Sequence, residues 1–133
     1  MSWTEHHASR FVEDQEGNLI EVDFAGYQCQ LLMDRFASGG LCLRLVDLEN
    51  NDQIARATVC LPASSPPHGC IYIKDYGENE GLLDTLCRAG VVTDTGERAP
   101  SGFAELAIAR LSPFVQQQFA GMEENRASDQ KGR

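Results

Sequence analysis

The stretch from Leu41 to Leu61 constrains the fold more than any other part of the chain. In Leu41-Cys42-Leu43-Arg44-Leu45-Val46-Asp47-Leu48 the leucines at 41, 43 and 45 fall on one side of an extended backbone, because successive side chains of a strand point to opposite faces. Glu49-Asn50-Asn51-Asp52 follows, and its Asn and Asp residues tolerate left-handed backbone, so the chain turns there. Ile54 to Leu61 then reads as the antiparallel return strand. A hairpin of this kind commits the domain to an antiparallel sheet.

The same pattern recurs on either side. Leu19 to Phe24 alternates apolar with polar, Ala25-Gly26 breaks it, and Tyr27 to Met33 continues as a second hairpin. Pro62 to Gly69, with Pro66-Pro67 at its centre, is expected to be a surface connection, since proline donates no ladder hydrogen bond. Cys70 to Lys74 is the next strand. Asn79 or Asp75 is expected to cap a helix from about Glu78 to Ala89, in which Leu82, Leu83, Leu86 and Cys87 recur at helical spacing and Gly90 is the stop. Asp94 to Glu97 reads as a turn, Phe103 to Leu111 fits a strand better than a helix, and Pro113 can begin a last helical turn carrying Phe114, Val115 and Phe119. The expected fold is therefore α+β: an antiparallel sheet of five or six strands with one principal helix packed on one face.

At 133 residues the chain is long enough for one domain with a real hydrophobic core. That domain is expected to span 1–121, with 1–12 as a candidate N-terminal arm and 122–133 as a flexible tail. Met1 to Arg10 lacks a basic-then-apolar signal pattern, and no apolar run approaches the ~20 residues that span a bilayer, so a cytoplasmic protein with no membrane partner is expected. The five cysteines (Cys29, Cys42, Cys60, Cys70, Cys87) are odd in number and widely spaced, which favours buried free thiols over a disulfide framework.

A formal charge of −9 argues against direct nucleic-acid binding, because neutralising phosphates takes clustered Lys and Arg. It is compatible with a basic protein partner, since opposite fields speed encounter, and equally with a surface that is merely kept soluble.

Catalytic chemistry has little support. The histidines are His6, His7 and His68, and none stands in a nucleophile, base and orienter pattern. His68 and Cys70 lie two apart, so a strand would point them the same way; they are the reactive candidates if the chain is a small enzyme or small-molecule binder. His68-Gly69-Cys70 has no matching zinc ligands elsewhere. Asp75, Glu78, Glu80 and Asp84 fail the calcium-loop pattern, with Gly77 at its third position and Leu86 at its twelfth. No catalytic residue, metal or cofactor is expected.

The segment Ile71 to Gly81 carries a different signal. Tyr72 and Tyr76 beside an acidic turn have the composition of a protein-binding patch, although tyrosine packing and helix capping explain the same residues. Asp75, Tyr76, Glu78, Asn79 and Glu80 are the candidate contact residues, with Tyr76 as anchor and the carboxylates as charge partners for Arg or Lys.

The runs Ala57-Thr58-Val59-Cys60-Leu61-Pro62, Ile71 to Leu83 and Ala89-Gly90-Val91-Val92 resemble a family of short bacterial proteins, of uncharacterised activity, found in phages, plasmids and other mobile elements. The resemblance covers about Leu41 to Leu111, and Lys74-Asp75-Tyr76 with Glu78-Asn79-Glu80-Gly81 is its most specific part. It implies a setting and no residue roles: small acidic proteins of mobile elements are often inhibitors of host defence, of the anti-CRISPR or antirestriction type. The expectation is a non-enzymatic binding protein that occupies the surface of a basic nucleic-acid-handling complex. The alternatives are the His68/Cys70 pocket and a homodimer of unknown role.

Overall fold

The computed structural model describes residues 9–61 and 64–131, with side chains described as far as Met122. Trp3, His6, His7, most of the candidate arm and the last two residues lie outside the described residues. Among the described residues eight strands run in chain order: β1 (Arg10–Phe11), β2 (Glu21–Phe24), β3 (Tyr27–Arg35), β4 (Leu41–Asp47), β5 (Gln53–Arg56), β6 (Cys70–Ile73), β7 (Val92–Ser101) and β8 (Ala104–Leu111). A 3-10 turn at Gly77–Asn79 and helix α1 (Leu82–Arg88) lie between β6 and β7, and α2 (Pro113–Lys131) follows β8.

The strands form two antiparallel sheets, of five and three strands, in place of the expected single sheet of five or six strands, because the chain changes sheets after Arg56. In the first, β1 and β2 pair with successive parts of β3, which pairs with β4, which pairs with β5. The second has the order β6-β8-β7. Both hairpins expected from turn chemistry are present, but the return strand of the second, expected over Ile54 to Leu61, ends at Arg56, after which the chain crosses to the other sheet. Ala25 and Gly26 both take positive φ (55° and 84°), as a two-residue turn between right-twisted strands requires, and they bring Phe24 opposite Tyr27.

One short segment joins the sheets. Ala57 N–H donates to Leu43 O (2.8 Å) on the first sheet, while Val59 N–H donates to Tyr72 O (3.1 Å) and Lys74 N–H to Ala57 O (2.9 Å) on the second. Thr58 sits at the corner, bridged to Ile73, and its buried Oγ1 accepts the Leu43 N–H at 3.0 Å. Helix α1 touches β2 of the first sheet and β7 of the second, so it too links the two sheets.

The space between is a single core. Leu31, Met33, Leu43, Leu45, Ile73, Leu82, Leu86 and Val115 are fully enclosed, each contributing about 1.5–3 kcal/mol of apolar transfer free energy. The Leu41/Leu43/Leu45 face expected from alternation is part of it. β6 is buried on both faces: Ile71 and Ile73 face the main core, whereas Cys70 and Tyr72 join Ala99, Leu106 and Ile108 in a second, smaller cluster.

The helical content departs from the expected single principal helix on one sheet face. The expected helix from Glu78 to Ala89 is divided: Gly81 at φ 91° interrupts it, leaving one 3-10 turn and a seven-residue α1 that fills a gap between sheet edges. The longer helix is α2, which starts at Pro113 as its fixed φ allows but runs nineteen residues. Val115, Phe119 and Met122 recur at i, i+4 and i+7, and two of them are buried. Asp94 to Glu97 is likewise not a turn between elements. It is a register shift within β7, with Gly96 at φ 86°. None of the helices is long and apolar enough among the described residues to cross a membrane.

Candidate functional site

The junction after β6 brings most of the candidate contact residues to one end of the second sheet, and much of their chemistry is occupied in holding the junction. Asp75 Oδ1 accepts the Leu83 N–H at 2.9 Å, capping α1 from outside because the N-cap position, Gly81, has no side chain to do so. Asn79 is 2 % exposed, and its Nδ2 donates to Arg56 O at 3.0 Å, fastening the 3-10 turn to the end of β5. Glu78 is exposed and pairs with Lys74 at 2.7 Å; that hydrogen bond, before any other cause, holds its carboxyl below the usual carboxylate range. Lys74 Nζ also lies 5.4 Å from the centre of the Tyr76 ring. Tyr76 is half-buried against the smaller cluster, and Glu80 is exposed.

Sequence reasoning missed the residue that changes the character of this end. Phe103 stands at the tip of the β7–β8 hairpin, where Gly102 at φ 64° makes a two-residue turn between Ser101 and Ala104, and its relative exposure is 113 %. The signal was in the pattern: Ser101-Gly102 followed by an aromatic, between alternating runs, places that aromatic in the turn instead of in the strand. Phe103, Tyr76, Asp75, Glu105 and Arg98 border one shallow concavity of about 530 Å³. Arg98 is itself held by Asp94 at 3.0 Å. An aromatic ring in water beside a second aromatic, with carboxylates at the margin, can dock an apolar or cationic group.

A larger cleft of about 1000 Å³ lies elsewhere, with no residue in common with the first. His68 and Cys70 both border it, but the geometry that made them a candidate pair is absent. Cys70 N–H donates to Pro67 O (2.9 Å) around Gly69 at φ 80°, so His68 lies in a tight turn and not two places along a strand. All five cysteines are free; Cys29, Cys42 and Cys70 are buried, Cys87 is half-buried and Cys60 is exposed. Among the described residues no group of three or more His, Cys, Asp and Glu is placed to hold a metal ion.

No protein-family model, no curated protein and no solved structure matches this chain. The chemistry of its own surface is what bears on function.

Proposed function

We propose that this chain is a non-enzymatic, acidic binding protein that acts by occupying a basic surface of a partner protein. The supporting observation is the fully exposed Phe103 beside Tyr76 with Asp75 and Glu105 at the rim. Leaving a phenylalanine in water forgoes about 1.5–3 kcal/mol of burial, and a hairpin turn has no need of that ring. Aromatic anchors surrounded by polar groups are the usual centres of binding energy at interfaces, and a net charge of −9 favours encounter with a basic partner. Tyr76, Phe103, Glu78, Glu80 and Glu105 form the contact side, with Asp75 at its rim also capping α1, and Asn79 holds the junction in shape from behind.

The sharper form of this reading is inhibition of a basic nucleic-acid-handling host defence complex, of the anti-CRISPR or antirestriction kind. It rests on the acidic surface and on the mobile-element resemblance of the Lys74 to Gly81 segment. The test is affinity capture from host lysate with the tagged chain and its Phe103→Ser and Tyr76→Ala variants. Stoichiometric recovery of a basic nucleic-acid-binding protein, reduced about tenfold or more by Phe103→Ser, is the expected result. Equal recovery by all three chains would remove this patch from the interface, and recovery of the chain alone would favour the homodimer.

A further inference from the structure

The large cleft has walls from three separate parts of the chain: Phe36 at the β3–β4 turn, Leu61 and Pro67 of the connection before β6, and Phe119 on α2. Its volume, about 1000 Å³, lies at the upper end of the range of small-molecule pockets, and the cleft is half open to solvent. The chemistry of the wall is selective. No Asp, Glu, Lys or Arg borders the cleft among the described residues, in a chain with 31 such side chains. Arg35 and Arg56 approach closest in chemistry, but each stacks on a wall phenylalanine, Phe119 at 4.7 Å and Phe36 at 5.9 Å.

The polar groups of the wall are arranged just as unevenly. The Ser64 hydroxyl pairs with the Tyr72 hydroxyl at 2.9 Å, and the Ser38 hydroxyl pairs with the Cys60 thiol at 3.2 Å. Gln116 Nε2 donates to Leu111 O at 2.8 Å, which fixes the amide over Gly69. Its Oε1, however, accepts no hydrogen bond from the described residues. The cleft thus presents apolar and aromatic surface, no carboxylate, ammonium or guanidinium among the described residues, the exposed His68 and Gln117 side chains at its border, and in Gln116 Oε1 an acceptor held in place by the amide's other hydrogen bond.

We propose that this cleft is a second binding site, for an uncharged, largely apolar small molecule that carries a hydrogen-bond donor. A charged ligand would leave water with no Asp, Glu, Lys or Arg of the wall to meet it, which is costly, whereas an aromatic or aliphatic body gains burial against Phe36, Phe119, Leu61 and Pro67. The donor satisfies Gln116 Oε1.

The test uses the full chain and the neutral dye Nile red as a fluorescent reporter, titrated to establish one saturable site. Displacement by naphthol, methoxynaphthalene and naphthoate then separates body, donor and charge on one ring system. Naphthol is expected to compete about two- to tenfold more strongly than methoxynaphthalene, the equivalent of one hydrogen bond, and about tenfold or more strongly than naphthoate. Ser65→Trp and Ala120→Trp change exposed residues on opposite walls, and each should weaken dye binding about tenfold with an unchanged melting temperature. Bound naphthol should also slow alkylation of Cys60, which borders the cleft. Absence of a saturable site, equal competition by naphthoate, or dye binding that survives both Trp variants and is lost in Phe103→Ser would overturn the proposal.

Discussion

The side-chain amide of Gln118 pairs with both backbone groups of Glu13, 105 residues away in sequence. Glu13 N–H donates to Gln118 Oε1 at 2.9 Å, and Gln118 Nε2 donates to Glu13 O at 2.7 Å, the two bonds a neighbouring strand would make. The primary amide is the side chain that can supply one donor and one acceptor in this fork. It ties α2 to the segment after β1, next to the fully buried Val12.

Replacing Gln118 with Ala should therefore destabilise the fold by about 1–3 kcal/mol, because two part-buried backbone groups lose their partners at once. Gln118→Glu keeps the acceptor, and its carboxyl can also donate only while protonated, so it should cost less than Ala at a pH low enough to protonate it and as much or more when ionised. Urea denaturation of the three proteins, with protease sensitivity after residue 9 as a local readout, checks both.

Asp75→Ala removes the carboxylate that caps α1 at Leu83. The expected loss is about 1 kcal/mol, the usual cost of a missing helix cap. Faster amide exchange in Leu82 to Leu86, with β3 and β4 unchanged, would locate the effect in the helix; uniform acceleration over the whole chain would refute the capping role.

The Asp94 carboxyl is held below the usual carboxylate range, first by the hydrogen bonds from the Arg98 guanidinium at 3.0 and 3.2 Å and then by the Gly96 N–H at 2.9 Å. A folded-state pKa below the unfolded value means that the unfolded chain binds the proton more readily. The contribution of the pair is then fully present above about pH 4 and is lost as the pH falls through the lower, folded value. Because the pair is exposed, Arg98→Gln should cost only ~0.2–1 kcal/mol at neutral pH and progressively less as the pH falls below about 4. Denaturant midpoints of the two proteins that converge on acidification are the expected result.

Thiol labelling of the folded chain should be dominated by one residue. Cys60 is exposed, whereas burial pushes the Cys29 thiol above its ordinary pKa and so away from the reactive thiolate. Iodoacetamide followed by peptide mass spectrometry should find Cys60 modified first and Cys29, Cys42 and Cys70 only on unfolding. Early modification of Cys70 would contradict its burial in the second cluster.

How much of this was legible in the residues differs from element to element. The β2–β3 and β4–β5 hairpins could be read because alternation and turn chemistry are properties of a few adjacent residues. Helix α2 was legible in part: Pro113 marked its start, but Val115, Phe119 and Met122 make a thin stripe that only packing against the core turns into a long helix. The Asp94 to Glu97 segment carries turn chemistry and was read as a turn, yet pairing with β8 on both sides of it makes a bulge the lower-energy outcome. At the candidate site the residues from Asp75 to Glu80 were identifiable as a junction. The division between those that hold it and those that face solvent was not, since Asn79 finds its acceptor on Arg56, 23 residues upstream.

The sequence by itself determined the antiparallel strands, the tight turns, the acidic surface and the free cysteines, because each depends on composition or on neighbours along the chain. Only the tertiary structure decided that residues 57–59 serve two sheets, that α1 packs against both of them, that Phe103 stands in water beside Tyr76, and that a cleft without Asp, Glu, Lys or Arg among the described residues opens between α2 and the connection before β6. Those outcomes depend on which distant surfaces pack together, and that is fixed by the summed burial and hydrogen bonding of the whole domain, not by any short stretch of it.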